Sequence, residues 1–297
     1  MTISTDARGI AVAPRPVVTT TATGPLTHTD TGDGPALLAL HGGMGGADQS
    51  WLLGRALVGD SAAHRVIGVS RPGYPGTPLA LGATPEQQAD LYPALLDALG
   101  IERAVVAAVS AGGPSALHFA LRHPDRCRGV ILVSAATGRL EADHVLARLG
   151  RMQRLLRIPG ASLLLGWMAG RDPEASARRS ILDPELRAAT LAHPAAGPLL
   201  RGLGRMSSQQ LKARMPGTLN DTLRYRDLPP FPFERLSVPL LIAHGTADRV
   251  VPFAHAEAAA TAPRARLVPL AGGDHVALFT HLAAVRAAVA AFLSELA

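Results

Sequence analysis

The chain has 297 residues, 47% of them hydrophobic and 18% charged, enough for one large domain with a sizeable core and too ordered a composition for global disorder. A single cysteine, Cys127, excludes an internal disulfide and makes a thiolate metal site implausible. The formal net charge of +6 is carried by scattered arginines, and with only 4% aromatics no stacking platform for nucleic acid is visible.

Residues 1–16 are small and polar, lack the apolar core of a leader, and read as a flexible tail on a cytoplasmic protein. Val17–Ala22 and Leu26–Thr31 read as strands able to pair antiparallel. Ala36–Leu40 is a short apolar strand ending in His41-Gly42-Gly43-Met44-Gly45-Gly46, and Trp51–Val58 follows as a helix. His64–Ser70 is a strand running into Arg71-Pro72-Gly73-Tyr74. Thr84-Pro85 with Gln87 is a capping box with proline at the first helical position, opening a helix that runs to about Leu99 and stops at Gly100. Ala104–Val109 is a β-branched apolar strand, Ala111–Arg122 its helix, and Gly129–Ser134 another buried strand. Further on, Pro239–Ala243 and Ala265–Leu270 are strands, and His281–Leu296 is a closing helix. Strands separated by helices predict an α/β fold with a mostly parallel sheet and helices on both faces.

The segment 137–235 breaks this rhythm. It is helical, carries fourteen arginines and one lysine against eight acids between Arg139 and Asp227, and is cut by Pro159, Pro173, Pro184, Pro194 and Pro216. It is expected to be a helical lid inserted into a core made of 17–136 and 236–297. Arg148, Arg151, Arg154 and Arg157 recur at about helical spacing, as a solvated face does, with contact to an anionic substrate group or a partner surface as the alternative. The leucines, Trp167 and Met168 of the lid are expected to favour an apolar substrate group.

Chemistry concentrates at strand ends. The strand ending at Val109 passes into Ser110-Ala111-Gly112-Gly113 and then a helix, the layout of a nucleophile elbow, which needs small residues two before and two after the serine. Here they are Ala108 and Gly112, Ala108 standing where the strict motif has glycine. A serine needs a base, and the base an orienting group. His275, in Gly272-Gly273-Asp274-His275, and Asp248, in His244-Gly245-Thr246-Ala247-Asp248, each follow a strand, giving the chain order Ser, Asp, His. Backbone N–H groups for a developing oxyanion are expected from Ala111 and from Gly43, with Met44 next. His41 and His244 are read as loop-holding residues, Asp274 as a minor alternative acid, and Ser115 as packing. No histidine or carboxylate grouping has metal-ligand spacing. Gly43-Met44-Gly45 begins like a dinucleotide fingerprint, but Asp48 stands where its last glycine is required.

The stretches His41–Gly45, Ser70–Tyr74, Val109–Gly113, His244–Asp248 and Gly273–His275 together make the chain resemble the α/β-hydrolase fold superfamily, along nearly its whole length from about Val17. The resemblance implies Ser110 as nucleophile, His275 as general base and then acid, Asp248 as the orienting carboxylate, and a cap after the sixth strand. A small-molecule substrate and no cofactor are expected, with no nucleic-acid partner, and no membrane partner because no apolar run approaches the length of a membrane span. The resemblance also implies hydrolysis of a carboxylic ester through an acyl-enzyme. A carbon–carbon bond hydrolase or perhydrolase using the same residues, and a non-catalytic binding protein on the same scaffold, are the alternatives. A serine rather than an aspartate at the elbow sets the chain apart from haloalkane dehalogenases and epoxide hydrolases.

Overall fold

The computed structural model describes residues 4–59, 63–141, 143–172 and 174–296. Eight strands form one sheet: β1 (Val17–Thr21), β2 (Gly24–Thr31), β3 (Ala36–Leu40), β4 (Arg65–Val69), β5 (Ala104–Val109), β6 (Cys127–Val133), β7 (Leu240–Gly245) and β8 (Ala265–Leu270). Their spatial order is β1-β2-β4-β3-β5-β6-β7-β8. β1–β2 and β2–β4 pair antiparallel, and all later neighbours pair parallel.

The continuous apolar strand runs follow from burial on both faces. Alternate residues of the central strands point opposite ways: Ala39, Val105, Ala107 and Ile131 enter one core, and Leu40, Val106, Ala108 and Leu132 the other. The first core is closed by α1 (Ala47–Val58). The second is closed by α2 (Pro85–Ala98) and α3 (Gly113–Arg122). Thr84 and Gln87 form the expected capping box at the start of α2. β3 and β5 are neighbours whose chains leave in opposite directions across the sheet, so their carboxyl ends open a crevice.

Between β6 and β7 the chain forms α4 (Asp143–Leu156), α5 (Ala161–Arg171), α6 (Ala175–Ser180), α7 (Pro184–Ala192), α8 (Ala196–Ser208) and α9 (Leu211–Arg226). Pro184 begins α7 behind an Asp183 cap, while Pro159 and Pro194 lie between helices. Pro173 lies outside the described residues. Pro216 departs from its expected role as a breaker: α9 runs straight through it. Side chains on both sides of Pro216, Arg214 and Asp221, are anchored to the core and hold the helix where propensity alone would end it. After β7 come α10 (Ala254–Ala259), α11 (Ala277–Thr280) and α12 (Leu282–Glu295), with α12 packing on α1.

The segment expected as a flexible tail is partly docked. Ile10 and Ala11 are buried, the Ala11 N–H donates to the Pro198 carbonyl at 3.1 Å, and Arg205 on α8 reaches Asp6 at 2.5 Å. Two buried apolar side chains, one backbone hydrogen bond and one ion pair hold this polar segment in place. Among the described residues no helix is long and apolar enough to cross a membrane.

Candidate active site

Ser110 sits where β5 gives way to a 3-10 turn, Ser110–Gly112, and then α3. Its φ of 51° lies in the left-handed region, which a non-glycine residue occupies at a cost. The turn is pinned by the chain just after β6: the Ser110 N–H donates to Ser134 O at 3.2 Å and Ser110 O accepts the Ala136 N–H at 2.9 Å. The crowding expected of such a turn is real. A Cβ on Gly112 would stand 2.7 Å from the Leu40 carbonyl oxygen, and one on Gly42 would stand 2.9 Å from the Ser110 Cβ. Ala108 is fully buried in β5 opposite Leu40 and Leu132, so the strand accepts its methyl.

The three candidate side chains converge. The Ser110 hydroxyl lies 3.1 Å from His275 Nε2, and His275 Nδ1 lies 2.9 Å from Asp248 Oδ2. A carboxylate only accepts, so Nδ1 carries the proton and Nε2 offers its lone pair to the Ser110 hydroxyl. The other Asp248 oxygen accepts the N–H groups of Val250 at 2.8 Å and Val251 at 2.9 Å. Burial alone would raise the Asp248 carboxyl. Hydrogen bonds from His244, His275 and the Val251 N–H outweigh it and hold the group well below the usual carboxylate range. Asp274 does not compete for the imidazole. It pairs with Arg249 and accepts the His275 backbone N–H at 2.8 Å.

The loop after β3 lies against the serine. His41 is buried; its Nδ1–H donates to Gly42 O at 2.6 Å and its Nε2 accepts the Arg71 N–H at 3.1 Å. Burial, and then the Arg71 charge, hold this imidazole well below its ordinary range; its two hydrogen bonds tie the loop together, the loop-holding role expected of it. Of the two oxyanion donors considered in this loop, the Met44 N–H is already given to Thr218 Oγ1 at 2.9 Å. The Gly43 N–H has no acceptor among the described residues. Ala111, at the start of the helical turn, is among the N–H groups that a helix leaves unpartnered. His244 likewise holds its loop, donating to the Val251 carbonyl at 2.9 Å, and Ser115 packs through Tyr92 and the Gly112 carbonyl.

A cavity of about 230 Å³ opens on Ser110 and His275. Leu52, Leu53, Leu200, Leu203, Leu278 and Phe279 form its apolar wall, and Gln49, Ser176, Ser180 and Ser207 its polar one. No Asp, Glu, Lys or Arg is among the described residues lining it. Trp167 and Met168, expected to face the substrate, are instead exposed on α5, and the apolar wall comes from α1, α8 and α11. The four arginines of α4 and its C-terminal end are also exposed and do not line the cavity.

One group of residues escaped the sequence reading. Arg214, Gly217, Thr218, Asp221 and Tyr225 lie on one face of α9 and grip the loops around Ser110. Arg214 pairs with Asp48 at 2.6 Å, Asp221 with Arg71 at 2.6 Å, the Gly217 N–H donates to Gly73 O at 2.8 Å, and the Tyr225 hydroxyl donates to the Ala111 carbonyl. Their spacing at three, four and seven residues is the pattern of a helix face, and that polar stripe was the available signal.

Residues 35–282 match the profile of the alpha/beta hydrolase fold family. An alpha/beta hydrolase fold protein of Nakamurella multipartita shares 31% identity and superposes with a TM-score of 0.74, covering 93% of this chain and 98% of that one. Among curated proteins, the uncharacterized hydrolase YcgS of Bacillus subtilis (strain 168) is 37% identical over 114 residues, 38% of this chain and 39% of its own. A 2-hydroxy-6-oxo-6-phenylhexa-2,4-dienoate hydrolase of Comamonas testosteroni is 36% identical over 126 residues, 40% of this chain and 42% of its own. The match thus spans about two-fifths of the length of each of these curated relatives.

Proposed function

The chain belongs to the alpha/beta hydrolase fold family, and from that premise we propose that it is a serine hydrolase that cleaves a carboxylic ester of a small, largely apolar acyl group. The observation that carries the reading is the hydrogen-bonded chain Ser110–His275–Asp248 at the mouth of an uncharged cavity.

In this reading Ser110 Oγ attacks the acyl carbon while His275 Nε2 takes its proton. Asp248 keeps the imidazole in the required tautomer and offsets the charge it gains. The carbonyl oxygen, now anionic, receives the N–H groups of Gly43 and Ala111. Collapse of the tetrahedral species breaks the C–O bond, and His275 returns its proton to the leaving alcohol. Water, deprotonated by His275, then attacks the acyl-enzyme and the carboxylic acid departs, regenerating Ser110. The inserted helices act as a cap, since α6 and α8 contribute wall residues to the cavity.

Carbon–carbon bond hydrolysis by the same residues is the second reading, and the Comamonas testosteroni relative favours it. A substrate named as a hydroxy-oxo-dienoate holds no ester, so its hydrolysis must break a carbon–carbon bond. Such a substrate also carries a carboxylate, for which the described cavity wall offers no Lys or Arg, and that favours the neutral ester. A panel of p-nitrophenyl esters of increasing acyl length, beside an oxo-dienoate, separates the two. Fastest turnover is expected on the shortest esters and is lost in Ser110→Ala. Turnover of the dienoate alone would overturn the ester reading.

A further inference from the structure

The α4–α5 segment carries a surface that the chemistry of Ser110 does not use. On α5, Leu163, Leu164, Trp167 and Met168 are all exposed, Leu163 by 81% and Trp167 by 57%. At about 100° per residue these four and Arg171 fall within an arc of roughly 140°. The opposite side of α5 turns Leu165 into a small core with Leu149, Leu156 and Met215. The helix therefore shows solvent an apolar face while a second apolar side packs inward, the reverse of an ordinary surface helix. Leu155 and Ile158, at the end of α4 and just beyond it, extend the exposed patch.

The charge around this patch has one sign. From His144 to Arg171 the sequence holds five arginines, Arg148, Arg151, Arg154, Arg157 and Arg171, and no Asp or Glu. All five are exposed, and among the described residues none is ion-paired. The Arg171 guanidinium lies over the Trp167 ring at 4.0 Å, a cation–π contact that sets one of these positive charges on the apolar patch itself.

We propose that the α4–α5 face docks onto the surface of an anionic lipid bilayer, with Leu163, Leu164, Trp167 and Met168 entering the interface and the arginines meeting the headgroups. An apolar helix face flanked by arginine is the chemistry of interfacial attachment, which needs no spanning helix. The charge pattern selects this occupant over a second copy of the chain. A two-fold contact would place each copy's arginines against the other's, with Asp143 the one acid between the start of α4 and Arg171 to set against five of them. The expectation that the protein has no membrane partner rested on the lack of a spanning segment, and peripheral docking is not bound by it. The proposal stands independently of the reaction at Ser110.

The test is flotation of the full-length protein with phosphatidylcholine vesicles, with and without phosphatidylglycerol, at low and high salt. Wild-type protein is compared with Leu163→Ser/Trp167→Ser and with Arg151→Gln/Arg154→Gln. Wild-type protein should float with the anionic vesicles only, and salt should release it. Either double variant should bind at least about tenfold more weakly, with unchanged circular dichroism and thermal midpoint. Equal binding to both vesicle types, binding to neither, or full binding by the folded variants would overturn the proposal. A concentration-dependent dimer that the same substitutions abolish, without vesicle binding, would assign the face to a second copy instead.

Discussion

Thr218, on α9, accepts the Met44 N–H at 2.9 Å and in turn donates its hydroxyl to the Arg214 carbonyl at 2.9 Å. The helix that follows a long excursion from the sheet thus fixes the loop after β3, and leaves Gly43 as the N–H free to serve an oxyanion.

Thr218→Val keeps the side-chain volume and removes the acceptor. The Met44 N–H is then unsatisfied in a confined place, and the loop is expected to relax. We predict that kcat on a short ester falls about tenfold or more, that KM changes little, and that Thr218→Ser restores most of the loss. Equal activity in all three proteins would remove Thr218 from the positioning of the loop.

The Arg71–Asp221 pair is buried on both sides, at 0% and 4% side-chain exposure, and the Tyr74 hydroxyl also donates to Asp221 at 2.6 Å. Removing one partner strands a buried charge. Arg71→Met is expected to lower unfolding free energy by about 3–5 kcal/mol, and the double variant Arg71→Met/Asp221→Leu by distinctly less. Urea titration of these two variants and of the single Asp221→Leu checks this; a double variant as weak as the sum of the singles would mean that the pair is not a coupled unit.

Stability is also expected to fall on mild acidification. In the unfolded chain an imidazole gains a proton below about pH 6.5, whereas native His41 stays neutral to much lower pH because burial and Arg71 oppose its charge. The unfolded state then binds more protons, so stability drops as pH falls through 6.5 toward the native pKa, by up to about 1.4 kcal/mol per pH unit from this one group. His28, His64, His118 and His255 are shifted downward as well and add to the slope. Denaturant melts between about pH 7 and pH 5 should show a shallower loss for His41→Gln than for wild type. Parallel curves would contradict the assignment.

Two substitutions at the elbow should have opposite weight. Gly42→Ala puts a methyl 2.9 Å from the Ser110 Cβ, with the Val109 carbonyl also near, so the serine or the loop must move. Activity is expected to fall by about a hundredfold, since small displacements of reacting groups cost on that order. Ala108→Gly restores the strict elbow motif but removes a buried methyl from a central strand. It should cost about 1 kcal/mol of stability and leave kcat within about threefold.

The sheet was legible because strands buried on both faces are written as uninterrupted apolar runs, and β3 and β5 begin and end where that pattern does. Ser110, Asp248 and His275 were legible because each follows a strand, on a loop or turn that also holds glycine. What the sequence did not reveal was tertiary. Pro216 reads as a helix breaker until Arg214 and Asp221 are seen anchored on either side of it. Trp167 and Met168 read as a substrate wall because composition cannot tell which way a helix faces. The choice between Gly43 and Met44 turns on Thr218, 174 positions along the chain from Met44, a contact no local pattern encodes.

The proposed reaction requires Ser110 to be an activated nucleophile. The most direct measurement is labelling of the full-length protein with a fluorophosphonate, with the adduct mapped by mass spectrometry. We predict one adduct, on the peptide holding Ser110, absent in Ser110→Ala and strongly slowed in His275→Ala. An unlabelled wild-type protein, or an adduct whose rate is indifferent to His275, would contradict it.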